Sequence, residues 1–365
     1  MFENAYRNRR ILVTGHTGFK GSWLSHWLLE LGSSVAGLSI DIPTQPSNFE
    51  TIELEHRLRH HAASITNLEQ VQRILAEERP EIVFHLAAQP LIRRSYDQPR
   101  LTFDTNLGGT INVLEAIRRT PSVRAAVFIT SDKCYENVEW EYGYRESDRL
   151  GGADPYSASK ACAEIAFSAY ARSFFNQADS PRIVTTRAGN VIGGGDWAAE
   201  RIVPDCVRAW ADRSPAVLRN PSATRPWQHV LEPLSGYLWL GAQLLLRSDE
   251  PPEGAFNFGP AADCSHSVLS LVSEMHKSWP GSTWTINETG NGAKKEAGLL
   301  KLNCDRALHH LDWRPTLSFE EGVAMTAQWY RRYYEKTHPM RAFAAEQIRS
   351  YERCANERGR RWAQR

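Results

Sequence analysis

The 365 residues include 43 lysines and arginines against 42 aspartates and glutamates, a formal net charge of +1, with 42% hydrophobic and 23% charged residues. That composition excludes a disordered, collagen-like or coiled-coil chain and supplies no basic field to draw the protein to nucleic acid. No run of about 18 apolar residues is present to span a membrane, and the polar start Met1–Arg10 has none of the apolar stretch of a secretory signal.

At roughly 150 residues per domain the length predicts two domains, or one large α/β domain with an appendage. Cys134, Cys162, Cys206, Cys264, Cys304 and Cys354 are scattered without a close pair, which predicts reduced, cytoplasmic thiols. His56 and His60 stand four apart but enclose Arg-Leu-Arg, so no metal site is expected.

Ile11–Val13 is a short apolar run that predicts a buried strand. The turn Thr14-Gly15-His16-Thr17-Gly18-Phe19-Lys20-Gly21 follows. Ser22–Leu31 then places Trp23, Leu24, Trp27, Leu28 and Leu31 at helical spacing, and Gly32 ends the helix. A strand over Ser34–Ile40 runs to Asp41, completing a βαβ unit. The rhythm continues with a helix at Leu68–Glu78 and a strand at Ile82–Leu86. A helix at Thr105–Arg119, a strand at Ala125–Thr130, a helix at Ser157–Phe175 and a strand at Ile183–Arg187 follow. This alternation predicts an α/β fold, a doubly wound parallel sheet of Rossmann type with helices on both faces.

After Asn190 the βα alternation fades and proline and tryptophan become frequent. The expected division is a dinucleotide-binding domain over 1–189, with 228–250 returning to it, and a smaller mixed α/β substrate domain from 190–227 and 251–365. The arginine-rich stretch Met340–Arg365 reads as a solvated helix or frayed tail.

Three clusters carry chemistry. Gly15, Gly18 and Gly21 follow a strand and open a helix, where bare backbone approaches a pyrophosphate and the helix N-terminus offers free N–H groups. Asp41 lies 20 residues after Gly21, where a carboxylate accepts from ribose hydroxyls and repels a 2′-phosphate, favouring NAD over NADP. Tyr156 and Lys160 are four apart at a helix start, so the ammonium is expected to lower the phenol toward neutrality and make it a base. Ser131, Asp132 and Lys133 follow the strand at Ala125–Thr130, at the edge where open α/β sheets bind ligands.

Assembled, these strings resemble the extended short-chain dehydrogenase/reductase family, in its nucleotide-sugar branch. The supporting pieces are Thr14-Gly15-x-x-Gly18-x-x-Gly21, His85-Leu86-Ala87-Ala88-Gln89, Asn106 with Gly109-Thr110, Ser131, Tyr156-x-x-x-Lys160 and Arg187-x-Gly189-Asn190-Val191-Ile192-Gly193. Longer strings are similar to the 4,6-dehydratases of that branch, in the group acting on CDP-glucose. They are Gly15–Trp23, Thr130–Tyr135, Gly193-Gly194-Gly195-Asp196-Trp197 and Arg225–Val230.

The resemblance implies a redox-neutral dehydration in deoxysugar synthesis for a polysaccharide. Tyr156, with Ser131 and Lys160, would deprotonate the sugar O4, and Asp132 would protonate the C6 hydroxyl. Related dTDP-glucose enzymes carry Glu where Lys133 stands, and Lys133 is taken as the C5 base, with electrostatic stabilisation as the alternative. The implied cofactor contacts are Thr17, Phe19, Lys20, Ser64, Ile65, Leu86, Ala87, Ala88 and Thr130, beside the glycines, Asp41, Tyr156 and Lys160. Implied nucleotide-sugar contacts are Gln89, Asn190, Trp197, Arg201, Arg225, Trp227 and Asn257, with phosphate ligands sought in 287–301. Family members pair through helices corresponding to Asn106–Arg119 and Ser157–Phe175, so a homodimer or homotetramer is expected. A 4-epimerase needs the serine, tyrosine and lysine but no acid–base pair behind the serine. A catalytically silent NAD-sensing relative commonly lacks the tyrosine or lysine.

Overall fold

The structure is a computed structural model that describes every residue except 248, 262, 263, 288–298 and 365. Seven strands form one parallel sheet: β1 (Arg10–Thr14), β2 (Ser34–Ser39), β3 (Arg59–Ala62), β4 (Ile82–His85), β5 (Ala125–Ile129), β6 (Arg182–Ala188) and β7 (Gly254–Phe258). Their order is β7-β6-β5-β4-β1-β2-β3. The chain therefore winds outward from β1 in one direction and from β4 in the other, and the switch point between them opens a crevice at the strands' C-terminal ends.

Alternation along each strand feeds two cores. Ile11, Val13, Ile82, Phe84 and Val127 face α1 (Phe19–Glu30) and α5 (Leu231–Leu246), which is buried as far as Leu245. Leu12, Val83, Ala126 and Phe128 face α2 (Leu68–Glu78) and α3 (Gly109–Arg118). The long α4 (Pro155–Phe174) packs beside α3 and closes that layer.

The predicted strands and helices recur within one to four residues of their expected ends. Two strands escaped the sequence pattern. β3 is Arg-His-His-Ala, an edge strand with no apolar signature. β7 falls in 251–365, assigned by sequence to the second domain, yet it hydrogen-bonds into the main sheet along β6. The C-terminal stretch also differs from expectation. Its helix α7 (Met340–Glu357), which follows α6 (Phe319–Glu335), buries Ala344, Ile348, Tyr351 and Ala355, and Trp362 beyond it stacks on Phe2. An apolar stripe hidden among arginines, not a frayed tail, docks this segment.

The remaining elements sit over the sheet's C-terminal edge. They include the helix Ile202–Ala211, the parallel pair Ala216–Leu218 with Trp284–Ile286, and the antiparallel pair Thr224–Arg225 with His266–Ser267. All six cysteines are free thiols. Among the described residues no helix is long and apolar enough to cross a membrane.

Candidate active site

The glycine turn has no room for side chains. Gly15 adopts φ +75°, and a Cβ there would lie 2.7 Å from the Ala87 nitrogen. A Cβ on Gly21 would lie 2.1 Å from the Gly15 oxygen. The backbone thus folds tightly onto itself, and α1 begins at Gly18 with no side chain capping it. Its first N–H groups are left for a ligand oxygen. Thr17 ties this turn to the end of β2, its hydroxyl donating to the Asp41 carbonyl at 2.6 Å. The Asp41 residue stands exposed at that strand end.

Behind the turn, His85 is held neutral because burial pulls it down to about 3. Thr110 Oγ1 donates to the Asn106 carbonyl at 2.7 Å, so the neutral ring carries its proton on Nε2, and Nδ1 accepts from the Thr14 hydroxyl at 2.7 Å while that hydroxyl accepts from the Ala87 N–H at 3.2 Å. Nε2–H then faces Thr110 Oγ1 at 3.3 Å. This chain fixes Leu86-Ala87-Ala88 beside the glycines. A dinucleotide fits here: a close-approach cradle, an uncapped helix N-terminus and an acid at the neighbouring strand end. Ser64 and Ile65 lie past β3 on the same edge, but Ile65 turns inward, its Cδ1 only 2.4 Å from where a Gly109 Cβ would stand. Its side chain belongs to the core, leaving only its backbone and Ser64 toward the edge.

The reactive groups converge where β5 ends. Ser131 Oγ donates to Asp132 Oδ1 at 3.0 Å and accepts from the Lys133 N–H at 3.3 Å. Asp154 caps α4 by accepting from the Ser157 N–H at 2.9 Å, which presents Tyr156 on the first turn and Lys160 one turn further on. Burial pushes the Tyr156 phenol up to about 12, opposed by its hydrogen bond with Ser131 and the Arg201 charge. The expected lowering toward neutrality is therefore absent from the protein's own groups, because desolvation of a phenolate outweighs them.

Asp132 is buried, and its Oδ2 has no hydrogen-bond partner. It lies 3.2 Å from where a Cβ of Gly189 would stand. That glycine borders a pocket lined by Pro226, Pro260, Cys264, Lys301 and Leu302. An orphan carboxylate oxygen beside an open pocket suits a substrate hydroxyl. Lys20 is buried within electrostatic reach of Asp132: burial pulls it down to about 8, with Asp132 opposing and Arg201 and Lys160 adding to the fall. Sequence reasoning missed Asp196, which grips Arg201 at 2.7 Å and aims it at Tyr156. The glycine-rich string around Asp196 was visible, but not its partner.

Four expected substrate contacts lie elsewhere. Asn257 is fully buried and spent: Oδ1 accepts from the Tyr135 hydroxyl at 2.8 Å, and Nδ2 donates to the Tyr144 and Asn303 carbonyls at 2.8 and 3.0 Å. Gln89 is likewise engaged with Leu91 and Thr102. Trp197 packs among Trp329, Tyr330 and Tyr333, and Trp227 donates to the His266 carbonyl at 3.1 Å from within the core. Asn190 and Arg225 are the chain neighbours of Gly189 and Pro226, which line that pocket. Of the stretch 287–301, residues 288–298 lie outside the described residues.

This edge, with its dinucleotide cradle and Ser131-Asp132-Lys133 turn opposite Tyr156, agrees with what known proteins show. A family model described as GDP-mannose 4,6 dehydratase matches residues 12–326. The chain belongs to that family of extended short-chain dehydrogenases/reductases. It is 44% identical to the CDP-glucose 4,6-dehydratase of Salmonella typhimurium, over 90% of this chain and 92% of that one. It is 28% identical to the UDP-glucose 4-epimerase of Mycolicibacterium smegmatis, covering 88% and 98%. Among solved structures, the Thermus thermophilus UDP-glucose 4-epimerase in complex with NAD aligns with a TM-score of 0.72 and 26% identity, over 88% of this chain and 99% of that one.

Proposed function

We propose that the chain is a CDP-glucose 4,6-dehydratase, converting CDP-glucose to CDP-4-keto-6-deoxyglucose and water with NAD as its cofactor. The observation that carries the reaction type is the acid and lysine, Asp132 and Lys133, set directly behind Ser131 and across from Tyr156. An epimerase has no use for that pair. The cytidine nucleotide rests on the similarity to the Salmonella enzyme.

In this reading Tyr156, hydrogen-bonded to Ser131, takes the proton from the sugar O4. NAD seated in the glycine cradle would supply the hydride acceptor for C4 and the hydride donor for C6, and a cationic ring there would offset the desolvation that holds Tyr156 high. The C4 ketone acidifies the C5 proton, which the Lys133 amine removes and returns to C5 once C6 has received the hydride. Asp132 delivers a proton through Oδ2 to the C6 hydroxyl, which departs as water. Arg201, held by Asp196, and Arg225 bind the diphosphate. Gly15, Gly18, Gly21, Thr17 and Asp41 seat the dinucleotide.

The protein acts in the cytoplasm as a homodimer or homotetramer in this reading, paired through the α3–α4 face.

The test incubates purified protein with catalytic NAD and CDP-glucose, beside dTDP-, UDP- and GDP-sugars, and reads the keto product by its alkaline ultraviolet absorbance. Product from CDP-glucose without net NADH is expected. Product from another sugar nucleotide instead would keep the dehydratase and overturn the substrate. No keto product from any of them would overturn the reading.

A further inference from the structure

A buried polar network that no proton transfer uses lies beneath the catalytic strand ends. Glu164 and Arg187 form an ion pair at 2.7 Å, their side chains 3% and 4% exposed. Glu164 sits on α4 one turn beyond Lys160. Its Oε1 accepts from the hydroxyl of Thr130, the residue before Ser131, and its Oε2 accepts from Thr185 Oγ1 at 2.9 Å. Arg187 reaches onward to the Tyr135 phenol at 2.8 Å and the Glu146 carbonyl at 3.1 Å. A buried ion pair is a poor means of gaining stability, because desolvating two charges offsets their attraction. What apolar side chains at these positions would lack is a fixed negative charge one helical turn from a buried ammonium.

We propose that Glu164 is a positioning residue for the dehydration, keeping Lys160 cationic and locking the Thr130–Ser131 strand end to α4 and β6. This rests on the reading of Tyr156 and Lys160 given above. The other groups facing Lys160 cannot substitute for it. Lys20 from α1 is itself a cation. His85 from β4 is held neutral, and burial keeps the Cys134 thiol protonated by pushing it up. Arg187, from β6, is spent on Glu164. Burial pulls Lys160 down to about 8, and Glu164 is the largest influence opposing that fall.

Lys160 therefore loses its charge as pH rises through about 8. Without the carboxylate that loss moves down by about one pH unit. The decisive measurement is side-chain 15N NMR titration of lysines in the full-length protein without cofactor, with Lys160 assigned by its absence in Lys160→Arg. In Glu164→Gln the Lys160 midpoint falls by about one unit, the alkaline limb of kcat/KM falls with it, and Glu164→Asp restores most of both. A folded Glu164→Gln protein with an unmoved Lys160 midpoint would overturn the proposal. If the single variant does not fold, the double variant Glu164→Gln with Arg187→Met removes both charges, an exchange that buried ion pairs tolerate, and its Lys160 midpoint must still fall, by less than in the single variant because the more distant Arg187 charge is lost too. Normal turnover by Tyr156→Phe and Lys160→Met would sink the catalytic reading itself, a separate failure that the titration does not depend on.

Discussion

At single residues, the difference between what sequence discloses and what it conceals is one of accessibility. Asp132 was legible because its position after a strand, beside a serine, has a chemical meaning. Asn257 was not, because an amide at a strand end looks the same whether it faces a ligand or cross-braces three loops. Only its filled hydrogen-bonding capacity decides. The orphan Oδ2 of Asp132 leads to a direct expectation. Asp132→Asn keeps the size and the bond to Ser131 but carries no acidic proton. It should lower kcat by about 10²–10⁴-fold with little change in KM, measured by steady-state kinetics on CDP-glucose. Loss confined to KM would mean that Asp132 only binds. The glycine cradle gives a second. A Cβ at Gly21 meets the Gly15 oxygen at 2.1 Å, so Gly21→Ala must displace the turn. NAD binding by calorimetry should weaken by at least about tenfold while the protein remains folded. Unchanged binding would place the pyrophosphate elsewhere.

Elements followed the sequence where burial was two-sided and departed from it where only one face mattered. β1, β4 and β5 are continuous apolar runs, as parallel strands covered on both sides must be. β3 borrows its pairing from β2 and needs no apolar side chains, so nothing in Arg-His-His-Ala announced it. The docking of α7 was concealed in the same way. It depends on Glu232 of α5, buried against the segment leading into α6. That carboxylate accepts from the Thr316 N–H at 2.9 Å, the Leu317 N–H at 2.6 Å and the Tyr351 hydroxyl at 2.9 Å. Burial nonetheless pushes Glu232 up to about 7. An acid raised above its unfolded value binds more protons folded than unfolded. Its contribution is full below the unfolded value and lost as pH rises through about 7. Thermal melts should therefore show Tm declining between pH 5 and 8 by a few degrees on this account. Glu232→Gln should flatten that part of the decline. An identical slope in the variant would assign the pH dependence to other buried acids, such as Glu352 or Glu146.

Across the whole molecule, several large apolar side chains are exposed, and two of them lie on or beside α4. Ile165 on α4 is 59% exposed, and Leu101, on the short helix Pro99–Phe103 packed against α4, is 41% exposed. Exposed aliphatic side chains on two packed helices are a candidate for the surface through which copies would pair. Helix α4 carries Tyr156, Lys160 and Glu164 on its inner side, so assembly would brace the catalytic turn from outside without contributing to its chemistry. Ile165 points away from that inner row, five residues past Lys160. A charge there should break the assembly and leave the site whole. Ile165→Asp is thus expected to sediment as a monomer where the unaltered protein sediments as a dimer or tetramer. It should retain NAD binding within a few fold, because the exposed Ile165 side chain lies on α4 and not on the glycine turn that forms the cradle. An unchanged sedimentation coefficient would show that the copies meet on another face, and loss of NAD binding together with dissociation would show that the pairing helps to form the site.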